Sequence, residues 1–462
     1  MNKTSIIAQL NRLNTYRLRG YRELLDFYHG WQWEGRERRG EKRLTFNYAK
    51  VFIDKVTSYL MCGINFAVDA VADSDETKAR KAEAALHQVY EDNNLEQLDL
   101  ETEIDCAVLG DAAYKVIWDG EAKKVRITAP DVQGIYAWWL GDDTSRIWRV
   151  ASKYSLTAEE SELLYRVKPK DKTATVVELW TDGEFELYLD DALMEKKPNP
   201  YGFIPFIIYP NLREPKKFWG ISDLSQIMES QQELNRAMSQ LSRILELSGN
   251  PIAVLENVEE AEDIAVKPGA VWTIPEDAKA YLLDLLQGGG VRLHIDYINL
   301  LYRTLHDISE SPRAAFGGTE RDLSGVALEI ELNPLIQKVR RKRIIRTAVY
   351  NHRNRMILKL LERYQGMEFG DNRLRVIWST ILPQDLARLV SNEQAMVQSG
   401  IHSRRGAMEE VGIKDPENEF KRWLEEREAI LRMNKELNAR STRAEGGRAL
   451  AAETGGVEES PT

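Results

Sequence analysis

Between residues 220 and 366, apolar side chains return every three or four positions along two stretches, and each stretch predicts a long amphipathic helix. In the first, Leu224, Ile227, Met228, Leu234, Met238, Leu241 and Leu245 make one stripe; in the second, Ile295, Ile298, Leu301, Leu305 and Ile308 do the same. Between them, Asn250-Pro251 opens a run with strand character over 252–255 and 271–274, punctuated by Lys267-Pro268-Gly269 and Gly288-Gly289-Gly290. Two helices of about 20–25 residues reach roughly 30–38 Å, so the pattern predicts a stalk with a small mixed module at its far end. A Gly-rich loop and a very long basic helix follow. A stalk with one apolar stripe needs neighbours to cover it, which points to an assembly.

Ahead of the stalk the first 30 residues are helical in pattern (Ile6, Leu10, Leu13, then Leu18, Tyr21, Leu25, Tyr28) and end at Gly30. The basic run from Arg36 to Arg43 predicts a loop. Residues 47–60 predict a buried helix with Val51, Phe52, Val56, Tyr59 and Leu60 on its apolar side, and residues 76–109 two more helices with a turn near Asp92-Asn93-Asn94. From 112 to 180 the period shifts to two. Strands are predicted over 113–118, 125–127, 147–150 and 176–180, with turns at Asp119-Gly120, Gly141-Asp142-Asp143 and Asp182-Gly183. Strands clustered in this way, rather than alternating with helices, predict an α+β fold. After Gly366 come a strand at 374–378, helices over 383–400 and 403–411, and a further helix opened by Asp415-Pro416-Glu417. From Leu437 the chain is Ala, Gly, Glu, Arg, Ser and Thr without periodicity, and is expected to be disordered.

Composition narrows the function. At 462 residues the length allows about three domains, and 43% hydrophobic with 29% charged content describes a globular chain. The formal net charge of −10 argues against a protein that coats nucleic acid with its whole surface. Cys62 and Cys106 sit in apolar contexts that suit free, buried thiols. No leader segment is apparent, and the longest apolar stretch, 203–209, is too short to span a bilayer and contains Pro205, so no membrane partner is expected. Six of the eleven tryptophans fall between Trp118 and Trp219, where core or interface anchors are expected.

Catalytic patterns are absent. No phosphate-cradling glycine loop, nucleophile elbow or metal-spaced histidine pair occurs, so no catalytic residue, metal or cofactor is expected. His294 and His306 are expected on the polar face of the second stalk helix. Carboxylates such as Asp105 with Asp111, or Asp142 with Asp143, could hold a divalent ion for nuclease chemistry, though turns and solvated helix faces explain them as well.

The basic cluster Lys338, Arg340, Arg341, Lys342, Arg343 and Arg346 spreads around the whole circumference of its helix at about 100° per residue. One solvated face cannot hold it, so some of these cations must meet acidic neighbours, another subunit, or a phosphate backbone. Pro334 inside that helix removes a backbone hydrogen bond and predicts a kink near 330–334. Before it, the loop Ser311-Pro312-Arg313-Ala314-Ala315-Phe316-Gly317-Gly318-Thr319-Glu320-Arg321-Asp322 is long for a helix–helix connection and predicts a functional loop.

At these residues the chain resembles the phage portal protein family, in its siphophage-type branch. The resemblance rests on Phe27-Tyr28-His29-Gly30, Asn47-Tyr48-Ala49-Lys50, Tyr59-Leu60-Met61-Cys62-Gly63, Leu109-Gly110-Asp111-Ala112-Ala113-Tyr114 and Asn199-Pro200-Tyr201-Gly202-Phe203-Ile204-Pro205-Phe206. Ser324-Gly325-Val326-Ala327-Leu328, Ser399-Gly400-Ile401-His402-Ser403 and Asp415-Pro416-Glu417-Asn418-Glu419 continue it. Their order and coverage carry it, not any one motif.

The resemblance implies a wing over 1–222, stem helices over 223–248 and 291–310, a clip at 249–290, and a tunnel loop at 311–325. A long kinked helix with a return strand would occupy 326–378, a helical crown 379–436, and the tail 437–462. It further implies a non-enzymatic ring, usually a dodecamer, at one capsid vertex of the virion, assembled in the host cytoplasm and passing double-stranded DNA during packaging and ejection. Terminase large subunit, major capsid and scaffolding proteins, and head-completion or tail adaptor proteins are its implied partners. On this expectation Arg313, Phe316, Gly317, Gly318, Glu320, Arg321 and Asp322 lie at the channel, and the basic helix faces a neighbouring subunit or the DNA. A metal-dependent nuclease or a packaging accessory that forms no ring is the alternative.

Overall fold

A computed structural model describes residues 5–13, 15–37, 39, 41–71, 75–169, 171–249, 252–256, 277, 279–283, 290–318, 325–381, 386–413, 416 and 419–434. It is mixed helix and sheet, consistent with the α+β expectation, and divides into a unit over 1–381 and one over 382–462.

The first unit opens with α1 (Ile6–Leu13), α2 (Thr15–Tyr28) and α3 (Tyr48–Leu60); Asn47 caps α3 by accepting from the Lys50 amide at 3.2 Å. Then come β1 (Ile64–Ala70), α4 (Glu76–Asp92) and α5 (Leu95–Leu109). Strands β2 (Asp111–Asp119), β3 (Lys124–Thr128), β4 (Ile135–Leu140) and β5 (Asp143–Thr157) follow, then α6 (Ala158–Tyr165), β6 (Thr173–Trp180), β7 (Glu184–Leu189), β8 (Ala192–Pro198) and β9 (Phe206–Pro210). Two short strands, β10 (Leu212–Arg213) and β11 (Gly220–Ile221), lead to α7 (Met228–Gly249), β12 (Ile252–Glu256), β13 (Lys279–Leu283), α8 (Gly290–Ile308), α9 (Gly325–Gln365) and β14 (Asn372–Trp378).

Among the described residues every strand pairing is antiparallel. β4-β5-β6-β7-β8 make a five-stranded sheet and β3-β2-β9 a three-stranded one; β1 pairs with β14, β10 with β11, and β12 with β13. β2 is buried along most of its length, because α5 and α9 cover one side and the larger sheet approaches the other. A core under β1, β2, β3, β9 and β14 joins α4 and the C-terminal half of α9. Another holds α2, α3, the end of α5 and the roots of α7 and α8. The five-stranded sheet packs one face on β9 and the other on α1, whose Leu10 meets Tyr136, Ala151, Val177 and Leu179.

The structure corrects several boundaries. The first stalk helix begins at Met228, not near 223: Leu224 and Ile227 are buried in the turns before it, fixed by Ser222 Oγ, which accepts from the Leu224 amide at 3.0 Å. β1, β4, β7, β8 and β9, and helix α6, were not expected. α9 matches the expected long helix, running unbroken over 41 residues with Pro334 inside it. The expected strand over 271–274, the tail and most of the capping residues near 415 lie outside the described residues.

The second unit contains α10 (Leu386–Gln398), α11 (Arg404–Glu410) and a helix over 419–434. Within it His402 Nδ1 lies 2.6 Å from the buried Glu393 carboxylate.

Candidate functional site

Two features stand out: a helix pair with an uncovered apolar stripe, and a line of buried cations. α7 and α8 lie side by side, with Tyr297 donating to Glu233 at 3.2 Å. On α8 the inward stripe Ile298, Leu301, Leu305 and Ile308 packs against Phe52, Leu234 and Met238. A second stripe, Leu293, Tyr297 and Leu300, sits at four- and three-residue steps and is 71%, 40% and 60% exposed. A helix that is apolar on two faces needs a second partner, and the described residues supply only one.

At the root of this pair α9 presents its cations. Lys338, Lys342 and Arg346, joined by Arg353, fall within about 80° on one face of a helix, and all four are buried. The six cations of the cluster do surround the helix as expected, and burial divides them: Arg340 and Arg341 are exposed and the other four are buried. Lys338 lies 3.3 Å from the buried Asp223 carboxylate, and Lys342 pairs with the same carboxylate and donates to Asn211 at 2.6 Å. Arg346 holds Glu103 through contacts of 3.0 and 2.8 Å and donates to the Asn211 carbonyl at 2.6 Å. Arg353 holds Asp99 at 2.5 and 2.8 Å inside the rings of Tyr90, Tyr114 and Tyr350. Arg343 donates to the Ser379 and Leu60 carbonyls at 2.7 and 3.3 Å. Lys338, Lys342, Arg343 and Arg346 thus all have partners within the chain. Burying an unpaired cation is costly; Lys338, Lys342, Arg346 and Arg353 are met by the carboxylates of Asp223, Glu103 and Asp99, and Arg343 by backbone carbonyls.

Burial alone would push the Asp223 carboxyl up, but Lys338 and Lys342 more than offset it and hold it below the usual carboxylate range. Burial pushes Lys342 down, against the pull of Asp223. With two ammonium groups on one carboxylate, the carboxylate stays ionised and the surplus proton on lysine is the one burial loosens. A depressed carboxylate stabilises the fold above its unfolded pKa and loses that contribution as pH falls, so the subunit should weaken below about pH 4. Asp223→Asn is expected to lower stability at neutral pH and flatten that acid limb in denaturation midpoints measured from pH 2 to 7. An unchanged acid limb would remove Asp223 from the account.

The first half of the expected functional loop is ordered. Residues Arg313–Phe316 form a 3-10 turn, Gly317 closes it at φ +81°, and Phe316 packs edge-on against Phe52 and His306. Arg313 lies over the Tyr302 ring. Glu320, Arg321 and Asp322 lie outside the described residues. Glu310, in the left-handed region at φ +53°, is gripped by Arg341 through contacts of 2.7 and 2.6 Å. His306, expected on a polar face, is instead buried among aromatic rings, because position 306 follows Tyr302 by one turn on the inward side.

The candidate nuclease carboxylates are not assembled. Asp111 is buried and both its oxygens are occupied, by the Gly220 amide at 2.7 Å and the Tyr21 hydroxyl at 2.6 Å, while Asp105 is exposed. Among the described residues no group of three or more His, Cys, Asp or Glu could hold a metal ion, and no helix is long and apolar enough to cross a membrane.

The acidic halves of the buried pairs escaped the sequence reading. Asp99, Thr102, Glu103 and Cys106 do stand at helical spacing in α5, and that stripe was the available signal. A family model described as phage portal protein, SPP1 Gp6-like, matches residues 7–432. No curated protein matches the chain.

Proposed function

The chain belongs to the phage portal protein family, and from that premise we propose that copies of it close into a ring at one capsid vertex, through which double-stranded DNA enters and leaves. The ring has about twelve members, as the family resemblance implies, and its role is structural: a channel and a docking platform for the terminase motor on one side and head-completion or tail proteins on the other. The module between α7 and α8 is the docking tip, and the loop after α8 faces the duplex.

The observation that carries this reading is the uncovered stripe Leu293, Tyr297 and Leu300 on α8. A ring of identical subunits places a heterologous patch against each copy and buries such a stripe all around. The chain's net charge of −10 suits a wall past which a duplex must slide without being held. The test is the double substitution Leu293→Glu and Leu300→Glu, read by native mass spectrometry and circular dichroism. The wild-type chain of 53.0 kDa should run as a ring of about twelve, and the variant as a folded monomer. Wild-type protein found only as monomers and dimers, or a variant that still closes into rings, would defeat this assignment.

A further inference from the structure

The packing around the loop root encloses the imidazole of His306. It is 6% exposed, and its ring meets Phe52 at 5.1 Å, Tyr302 at 4.6 Å and Phe316 at 5.4 Å, all near edge-on. Its Nδ1 lies 2.5 Å from the carbonyl oxygen of the fully buried Ser311, an atom that can only accept, so Nδ1 carries the proton. Nε2 is buried with no hydrogen-bond partner. In this tautomer it is a bare lone pair among rings, tolerable while the imidazole is neutral.

We propose that His306 is a pH-sensitive latch on the loop that follows α8: neutral, it holds the turn through Ser311 and Phe316; protonated, it releases it. A second proton would give Nε2 an N–H and the ring a charge, with no acceptor among the described residues of the cage to meet either. The charged and titratable groups around the cage do not supply one. Tyr302 and Asp307 come from α8, Arg313 from the turn, and Tyr48 from α3, its ring 5.2 Å from Tyr302. From α9, Lys338 donates to the Ser309 carbonyl at 3.0 Å and Arg341 is spent on Glu310. Burial pushes the imidazole down, the Ser311 carbonyl pulls it up, Arg313 pushes it down and Asp307 pulls it up; the net direction is down. The latch is a property of this chain's packing, whether or not the loop lines a channel.

What the latch holds is readable. The amides of Ala315, Gly317 and Gly318 bond back to Pro312, Ala314 and Arg313 at 2.9, 3.2 and 3.2 Å, and the Ser311 amide to His306 at 3.1 Å. A histidine whose folded pKa is depressed contributes holding energy above its unfolded value of 6.5, and loses it as pH falls from there towards the folded value. Over that window the opening equilibrium should rise by up to about tenfold per pH unit.

The experiment is amide hydrogen exchange of the assembled wild-type protein between pH 8 and 5, corrected for intrinsic rates, on peptides spanning 309–318. Protection should fall on acidification below about 6.5, while peptides from β5 and β6 hold theirs. In His306→Asn, whose amide can still donate to the Ser311 carbonyl but does not titrate, protection should be independent of pH. In Phe316→Ala it should be low throughout. Should the asparagine variant fail to fold, exchange at the imidazole C2 position of wild-type His306 gives its pKa directly. A value at or above 6.5, or wild-type protection that does not change with pH, would overturn the latch.

Discussion

Glu103→Ala is expected to cost roughly 3–5 kcal/mol, the penalty for leaving a buried charge without its partner. Arg346 and Glu103 are 0% and 1% exposed, so water cannot take over when the carboxylate is removed. The damage extends beyond one pair, because Glu103 also accepts from the Tyr209 hydroxyl at 3.2 Å and so ties α5 to β9 as well as to α9. Replacing both partners by apolar side chains of similar size, Glu103→Leu with Arg346→Met, should recover much of the loss, since no naked charge remains. Chemical denaturation of the three variants checks the ordering. A single Glu103→Ala loss below about 1 kcal/mol would place the pair among weak, solvent-compensated contacts.

Gly220→Ala should be comparably damaging for a different reason. A Cβ there would strike the Gly110 carbonyl oxygen and come within 2.6 Å of Pro210 Cβ and 2.9 Å of the Leu212 carbonyl oxygen. None of these can step aside, because all belong to backbone or a ring. The neighbouring amide of Gly220 holds Asp111, and three residues on stands Asp223. The substitution therefore displaces the shelf on which Lys338 and Lys342 rest, at roughly 3 kcal/mol or more. The expected result is little soluble subunit, with α9 peptides losing exchange protection. Wild-type yield and melting would show that the three segments can part at small cost.

Much of the fold is legible in the sequence where local pattern decides. The helices over 48–60, 228–249 and 290–308, the strands at β2, β3, β5, β6 and β14, and the long helix opening at Gly325 all announce themselves by period. β1 does not, since its partner β14 lies some three hundred residues on, at Ile64 opposite Trp378. β8 (Ala192–Pro198) is an exposed edge without alternation, held by its ladder to β7 rather than by a buried face. Helix α6 was legible and overlooked: Thr157 with Glu160 is a capping box, and both of its bonds form. In the basic cluster, circumference alone leaves acidic neighbours, another subunit and a phosphate backbone open, and does not say which residues sink inward. Counting by fours from Lys338 through Lys342 to Arg346 isolates the buried face. Naming Asp223, Glu103 and Asp99 as partners needs the tertiary structure.

The way α9 closes the first unit bears on how the chain is made. Its arginines meet carboxylates 243 and 254 residues earlier, and at synthesis rates of about 5–20 residues per second that gap lasts on the order of tens of seconds. During that time α5 has emerged with Asp99 and Glu103 facing positions that only α9 will fill. A ribosome-bound chain ending before residue 325 should thus hold its helices loosely and remain open to protease. Protection should arrive abruptly once residues up to about 365 are out, so that the first unit closes only after α9 has been translated.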